Sequence, residues 1–131
     1  MRRLVFAAAL AALVFSSTAA PCLAATTKGY SVVLPRFGSA YYTSTKTVSA
    51  YRDYGVKHRY SGGKTVNFQV CDSQHNTVGP RVAIAPGRSD APLVDLWYNG
   101  SASSKSVSVK MWTSLTTAVQ VLAEGTWYWN Y

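Results

Sequence analysis

The amino-acid sequence predicts an all-β fold, a single small antiparallel β-sandwich of about seven strands following a cleaved signal peptide. Three observations predict it. Apolar and polar residues alternate with a period of two in the clearest segments after residue 28. Those segments are rich in β-branched and aromatic residues. Glycine, proline and asparagine punctuate them at the spacing of a sandwich or barrel, and no segment carries a convincing helical repeat.

Residues 1–24 read as a targeting segment rather than as part of the fold. Arg2 and Arg3 form a positive start, Leu4 to Phe15 an apolar run, and Cys22-Leu23-Ala24 a small-x-small cleavage site. The apolar run is too short for a lasting membrane span, and no second one follows, so no transmembrane segment is expected. Ala19-Ala20-Pro21 lacks the leucine and small residue that precede a lipid-anchored cysteine. Secretion follows, with residues 25–131 as the extracellular domain. That length suffices for one compact core but not two.

The whole chain has 13 Lys and Arg against 5 Asp and Glu, a net charge of +8. Without Arg2 and Arg3 the domain keeps eleven cations, for a net charge of about +6. Such a domain is drawn to anionic surfaces: teichoic acids, phospholipid headgroups or nucleic acid. The attraction is unspecific and weakens with salt. Of the two cysteines only Cys71 lies in the domain, so no internal disulfide can form and stability falls to packing.

The expected strands follow in order. Gly29 to Leu34 alternates Tyr30, Val32 and Leu34 against Ser31 and Val33, and Pro35 ends it. Ala40 to Tyr51 is rich in β-branched and aromatic residues and has no helical repeat. Lys64 to Asp72 is the cleanest strand, with Val66, Phe68 and Val70 on one face and Asn67, Gln69 and Cys71 on the other. The stretch DSQHNTVGP reads as a turn, and Arg81 to Pro86 carries Val82 and Ile84 in register. Leu93 to Asn99, Ser106 to Trp112 and Thr117 to Tyr131 complete the set, separated by Asn99-Gly100 and a serine-rich turn.

The runs GYSVVLPRFGSAYYTSTKT, GGKTVNFQVCDSQ and WYNGSASSKSVSVKM, closing on GTWYWN, resemble a family of small secreted proteins of Gram-positive bacteria. The resemblance covers nearly the whole domain and rests on glycines, aromatics and alternation rather than on catalytic signatures. It implies a secreted β-domain and brings no reaction and no catalytic residues with it. Cys71 and the basic middle of the chain depart from the family pattern.

Four places could carry function. The tail GTWYWNY sets Trp127, Trp129 and Tyr131 on one face of a strand, where they would staple the C-terminal strand into the core; Gly125 would break the strand as a bulge does. Tyr51 to Lys64 interleaves Arg52, Lys57, His58, Arg59 and Lys64 with Tyr51, Tyr54 and Tyr60. Cations beside aromatic faces suit an anionic polymer, and Gly55 and Gly62-Gly63 place much of this stretch in a loop. It matches no specific nucleic-acid motif. Cys71, Asp72 and His75 are the one cluster with a hint of nucleophile chemistry, but a hairpin end is the expected reading. The carboxylates Asp53, Asp72, Asp90, Asp95 and Glu124 are scattered, and only Asp95, flanked by Leu93, Val94, Leu96 and Trp97, is expected to be partly buried.

No phosphate-binding loop, nucleophile elbow or zinc motif occurs, and no metal or cofactor is implied. The expectation is a secreted, non-enzymatic protein binding an anionic or carbohydrate cell-envelope component through Tyr51–Lys64. A secreted antagonist, a bacteriocin-like toxin or an enzyme inhibitor, is the alternative.

Overall fold

In the computed structural model, residues 25–87 and 91–131 are described. The signal peptide expected at residues 1–24 and the carboxylate Asp90 lie outside the described residues. Among the described residues nine strands form: β1 (Thr26–Leu34), β2 (Tyr41–Tyr42), β3 (Lys46–Val48), β4 (Asp53–Tyr60), β5 (Val66–Asp72), β6 (Val82–Ile84), β7 (Val94–Tyr98), β8 (Lys105–Trp112) and β9 (Val121–Trp129). They build two antiparallel sheets. One has the order β1-β9-β4-β7. In the other, β2 and β3 share one edge of β8, followed by β5 and β6.

The fold class is as the sequence predicts, with two strands more than expected. One extra strand comes from the segment 40–51, which splits. Thr43 gives its backbone N–H to the Val109 carbonyl, while its hydroxyl oxygen accepts the Val109 N–H. A side chain thus stands in for one rung of the ladder, leaving β2 and β3 as separate pairings on β8. The other is β4, which the sequence reads as loop. Tyr54, Val56 and His58 alternate inward along it and are fully or almost fully buried. Gly55 serves close packing here rather than a turn. A Cβ there would strike the Tyr131 hydroxyl and lie 2.8 Å from the Val94 carbonyl oxygen.

The core fills the space between the sheets with one inward row from each strand. Leu34, Val56, Leu96 and Trp127 come from the first sheet, and Phe68, Val70, Val109 and Met111 from the second. Trp127 is 4 % exposed. Its ring stacks on Tyr30 at 4.4 Å between centroids and meets Phe68 edge-on at 6.0 Å. Burying one such ring contributes roughly 4–6 kcal/mol before entropy is counted. The tail is therefore a central strand, with β9 paired to β1 on one side and β4 on the other.

Two details of the tail differ from the sequence reading. Gly125 does not interrupt β9; the bulge lies in β4, where the register shifts between His58 and Tyr60. Tyr131 does not share a face with Trp127 and Trp129. Asn130 adopts the left-handed region (φ 62°) and turns the chain. Its side-chain carbonyl accepts the Ser49 N–H at 2.8 Å, and Tyr131 folds over Gly55 on the outer face.

Candidate functional site

The eight residues expected to form a binding loop are dispersed by β4. Seven steps of about 3.3 Å put its ends roughly 23 Å apart, so Tyr51 and Arg52 lie at one end of the sandwich and Arg59, Tyr60 and Lys64 at the other. Lys57 points outward from the middle, with its Nζ 5.2 Å from the Tyr128 ring centroid. Tyr54 and His58 face the core, out of reach of any macromolecular partner, because they occupy the inward positions of a central strand. The segment does not converge into one site.

His58 belongs instead to a closed hydrogen-bonded chain. The Ser61 hydroxyl donates to the Lys64 carbonyl, so it can only accept from His58 Nε2–H, at 2.9 Å. His58 Nδ1 is then the acceptor for the Tyr30 hydroxyl, at 2.8 Å. All three groups point their protons one way, from Tyr30 toward Lys64. Although a serine stands beside a histidine, the serine proton is directed away from it, so the arrangement makes no nucleophile. Burial lowers the His58 pKa from 6.5 to about 4, keeping the ring neutral.

The remaining titratable candidates are each held by local contacts. Cys71 faces away from the core as its parity predicts, yet it is fully buried. The turn after β5 doubles back so that Thr77 pairs with Cys71. The thiol lies against the Thr77 side chain and the Lys110 backbone, and burial pushes its pKa up. His75 stacks on Tyr42 instead, at 3.9 Å and nearly parallel. Asp72 accepts the backbone N–H groups of Gln74 and Asn76 at 2.8 and 2.9 Å, which hold its carboxyl below the usual range. Asp95 is exposed rather than partly buried and accepts a hydrogen bond from Tyr131 at 2.5 Å. Burial and then the Asp95 charge raise the nearby Asp53 carboxyl. Among the described residues, no three His, Cys, Asp or Glu side chains converge as a metal site would need.

A groove that the sequence reading passed over lies on the outer face of the second sheet. Val107, Val109 and Met111 face inward along β8, so Lys110 and Trp112 face outward. Asn67 of β5 pairs with Trp112, and its side-chain amide donates to the Trp112 backbone carbonyl at 3.4 Å. Arg81, just before β6, closes one wall, and Ser114 and Thr116 of the β8–β9 loop close the other. The groove encloses about 630 Å³. Lys110 Nζ sits 4.8 Å from the Trp112 centroid, close enough for a cation–π contact that holds both side chains in place. Arg81 and Lys110 are the charged residues lining it, and both are positive.

Charges of both signs share the half of the sandwich away from the groove, where Lys46, Arg52 and Lys105 lie beside three carboxylates. Asp53 opens β4, Asp72 closes β5 and Asp95 faces Gly55, all in the half away from the groove. Arg36, Arg59, Lys64 and Arg81 lie in the half that holds it. The signal for the groove was present in the parity of Lys110 and Trp112; Arg81 joins them only through the register of β5 with β6 and β8.

No helix among the described residues is long and apolar enough to cross a membrane. In comparison with known proteins, the chain matches no family model, no curated protein and no solved structure, and the resemblance to small secreted Gram-positive proteins stands on its sequence motifs alone.

Proposed function

We propose that this is a secreted, non-enzymatic β-sandwich protein that binds an anionic or carbohydrate component of a cell envelope, with the Trp112 groove as its site in place of the Tyr51–Lys64 segment. The observation that supports this is the groove itself: an indole face flanked by two cations and edged with amide and hydroxyl groups. An indole face stacks on a sugar ring, Arg81 and Lys110 pair with phosphate or carboxylate, and Asn67, Ser114 and Thr116 meet hydroxyls. A polymer of phosphate-linked sugars or polyols presents all three chemistries. The net positive charge raises its local concentration at such a surface.

Co-sedimentation of the purified protein with isolated Gram-positive cell walls tests the reading. Binding should fall with salt, fall when anionic polymers are stripped from the walls, and drop about tenfold in Arg81→Ala and in Trp112→Ala. Arg52→Ala, at the far end of β4, should bind normally. Absence of binding at low salt, or equal losses in all three variants, would overturn it.

A further inference from the structure

The end of the sandwich that holds the groove is apolar where it is most exposed. Leu115 is 79 % exposed, Val119 59 % and Phe37 58 %. They come from two connections, 35–40 between β1 and β2 and 113–120 between β8 and β9. Because Leu34 pairs with Val121, both connections emerge side by side.

The two connections are braced against each other. Phe37 N–H donates to the Thr117 carbonyl at 2.8 Å, and Thr117 N–H to Ser114 at 3.0 Å. Gly38 is packed so tightly that a Cβ would lie 2.9 Å from the Leu115 side chain and 3.1 Å from the Thr113 carbonyl oxygen. Phe37 itself sits at φ 55°, a backbone conformation that bulky side chains rarely adopt. The fold holds a phenylalanine in strain at an exposed tip, where it fills no core.

Cations surround these tips. Arg36 precedes Phe37, Arg81 and Lys110 line the groove beside Leu115, and Lys64 shares a shallow hollow with Val119. The acids described above lie in the other half, except Glu124, which accepts a hydrogen bond from Ser31. A soluble polyanion would engage the cations but has no use for exposed Leu115, Val119 and Phe37. A bilayer engages both: apolar tips enter the boundary between headgroups and acyl chains while the cations meet lipid phosphates.

We propose that this end of the molecule docks on an anionic lipid bilayer, inserting Phe37, Leu115 and Val119 with Arg36, Lys64, Arg81 and Lys110 against the headgroups. The proposal deepens the envelope-binding reading and rests on it, since a protein outside the cell is what would meet such a surface.

Flotation of the purified protein with vesicles of phosphatidylglycerol and phosphatidylcholine, against phosphatidylcholine alone, is the test. The protein should float with the anionic vesicles only. Leu115→Ser should weaken binding about tenfold or more, since one buried leucine is lost. Phe37→Gly should weaken it similarly while raising the melting temperature, because glycine relieves the left-handed strain. That pairing separates lost docking from lost folding. Tyr51→Ser, equally exposed at 58 % but at the opposite end, should float like the parent.

No flotation with anionic vesicles would overturn the proposal, and so would flotation that Leu115→Ser and Phe37→Gly leave unchanged, which is adsorption by charge alone. Cell-wall binding without vesicle binding overturns the bilayer proposal and leaves the groove reading standing. Failure of both overturns both.

Discussion

His58 makes the protein acid-sensitive in a window set by one side chain. It is 1 % exposed, and its pKa is about 4 in the folded state against 6.5 when unfolded. Above pH 6.5 the ring is neutral in both states, and the stability from keeping it neutral is fully present. As pH falls, the unfolded chain takes up its proton first, so stability is lost. Below about pH 4 both states are protonated and the loss is complete. At 1.36 kcal/mol per pKa unit, the loss is about 2 kcal/mol at pH 5 and about 3 kcal/mol at pH 4.

Carboxylates do not mimic this between pH 7 and 5. The depressed Asp72 loses its contribution only as pH falls below 3.8, and the raised Asp53 acts with the opposite sign, stabilising the fold on protonation. Urea unfolding at pH 7, 6 and 5 reads the effect directly through the midpoint at constant slope. His58→Gln, whose amide can donate to Ser61 and accept from Tyr30, should have a nearly flat profile over the same range. If the parent lost under about 0.5 kcal/mol by pH 5, or the variant lost as much as the parent, the assignment of a buried neutral His58 would be refuted.

Other perturbations have equally definite outcomes. The Tyr54 hydroxyl is buried without a hydrogen-bond partner among the described residues, so Tyr54→Phe should raise stability by about 1 kcal/mol in the same urea assay. Gly125→Ala should cost about 3 kcal/mol or more. The new methyl would strike the Lys57 carbonyl and lie 2.5 Å from the Tyr30 hydroxyl, forcing β4 from β9 and breaking the Tyr30–His58 hydrogen bond. Native Cys71 should react with a thiol-exchange reagent at least about a hundredfold more slowly than the unfolded chain, because only opening of the β5 turn exposes the sulfur.

Alternation alone made β5 and β8 legible. Val66, Phe68 and Val70 on one strand and Val107, Val109 and Met111 on the other are apolar residues at every second place, and all are buried. The same period runs through β4, but its inward residues are Tyr54, Val56 and His58. A tyrosine and a histidine read as surface until Trp127 and Ser61 are seen to receive them. Gly55 read as a turn because the residue that needs its missing side chain, Tyr131, is 76 positions away. The burial of Cys71 depends on the turn that doubles back over it, which parity does not encode. For the groove, the outward placement of Trp112 was readable and its neighbour Arg81 was not, since strand register is a tertiary property.

The position of β9 has a consequence for how the molecule comes into being. It is last in chain order but lies second in its sheet, between β1 and β4, and its pairing with β1 joins Thr26 to Trp129. During synthesis, β1 and β4 have no common neighbour until residues 121–129 exist, so that sheet cannot be laid down strand by strand. Pairing strands across a chain segment of this length costs loop-closure entropy before the contacts reward it, which slows folding. A nascent chain stopped short of Val121 would be left with an open slot through its middle, a substrate for proteolysis rather than a partly working protein. A chain whose first sheet cannot close until residues 121–129 are made remains threadable through a translocation pore for longer, which suits the exported life proposed for it.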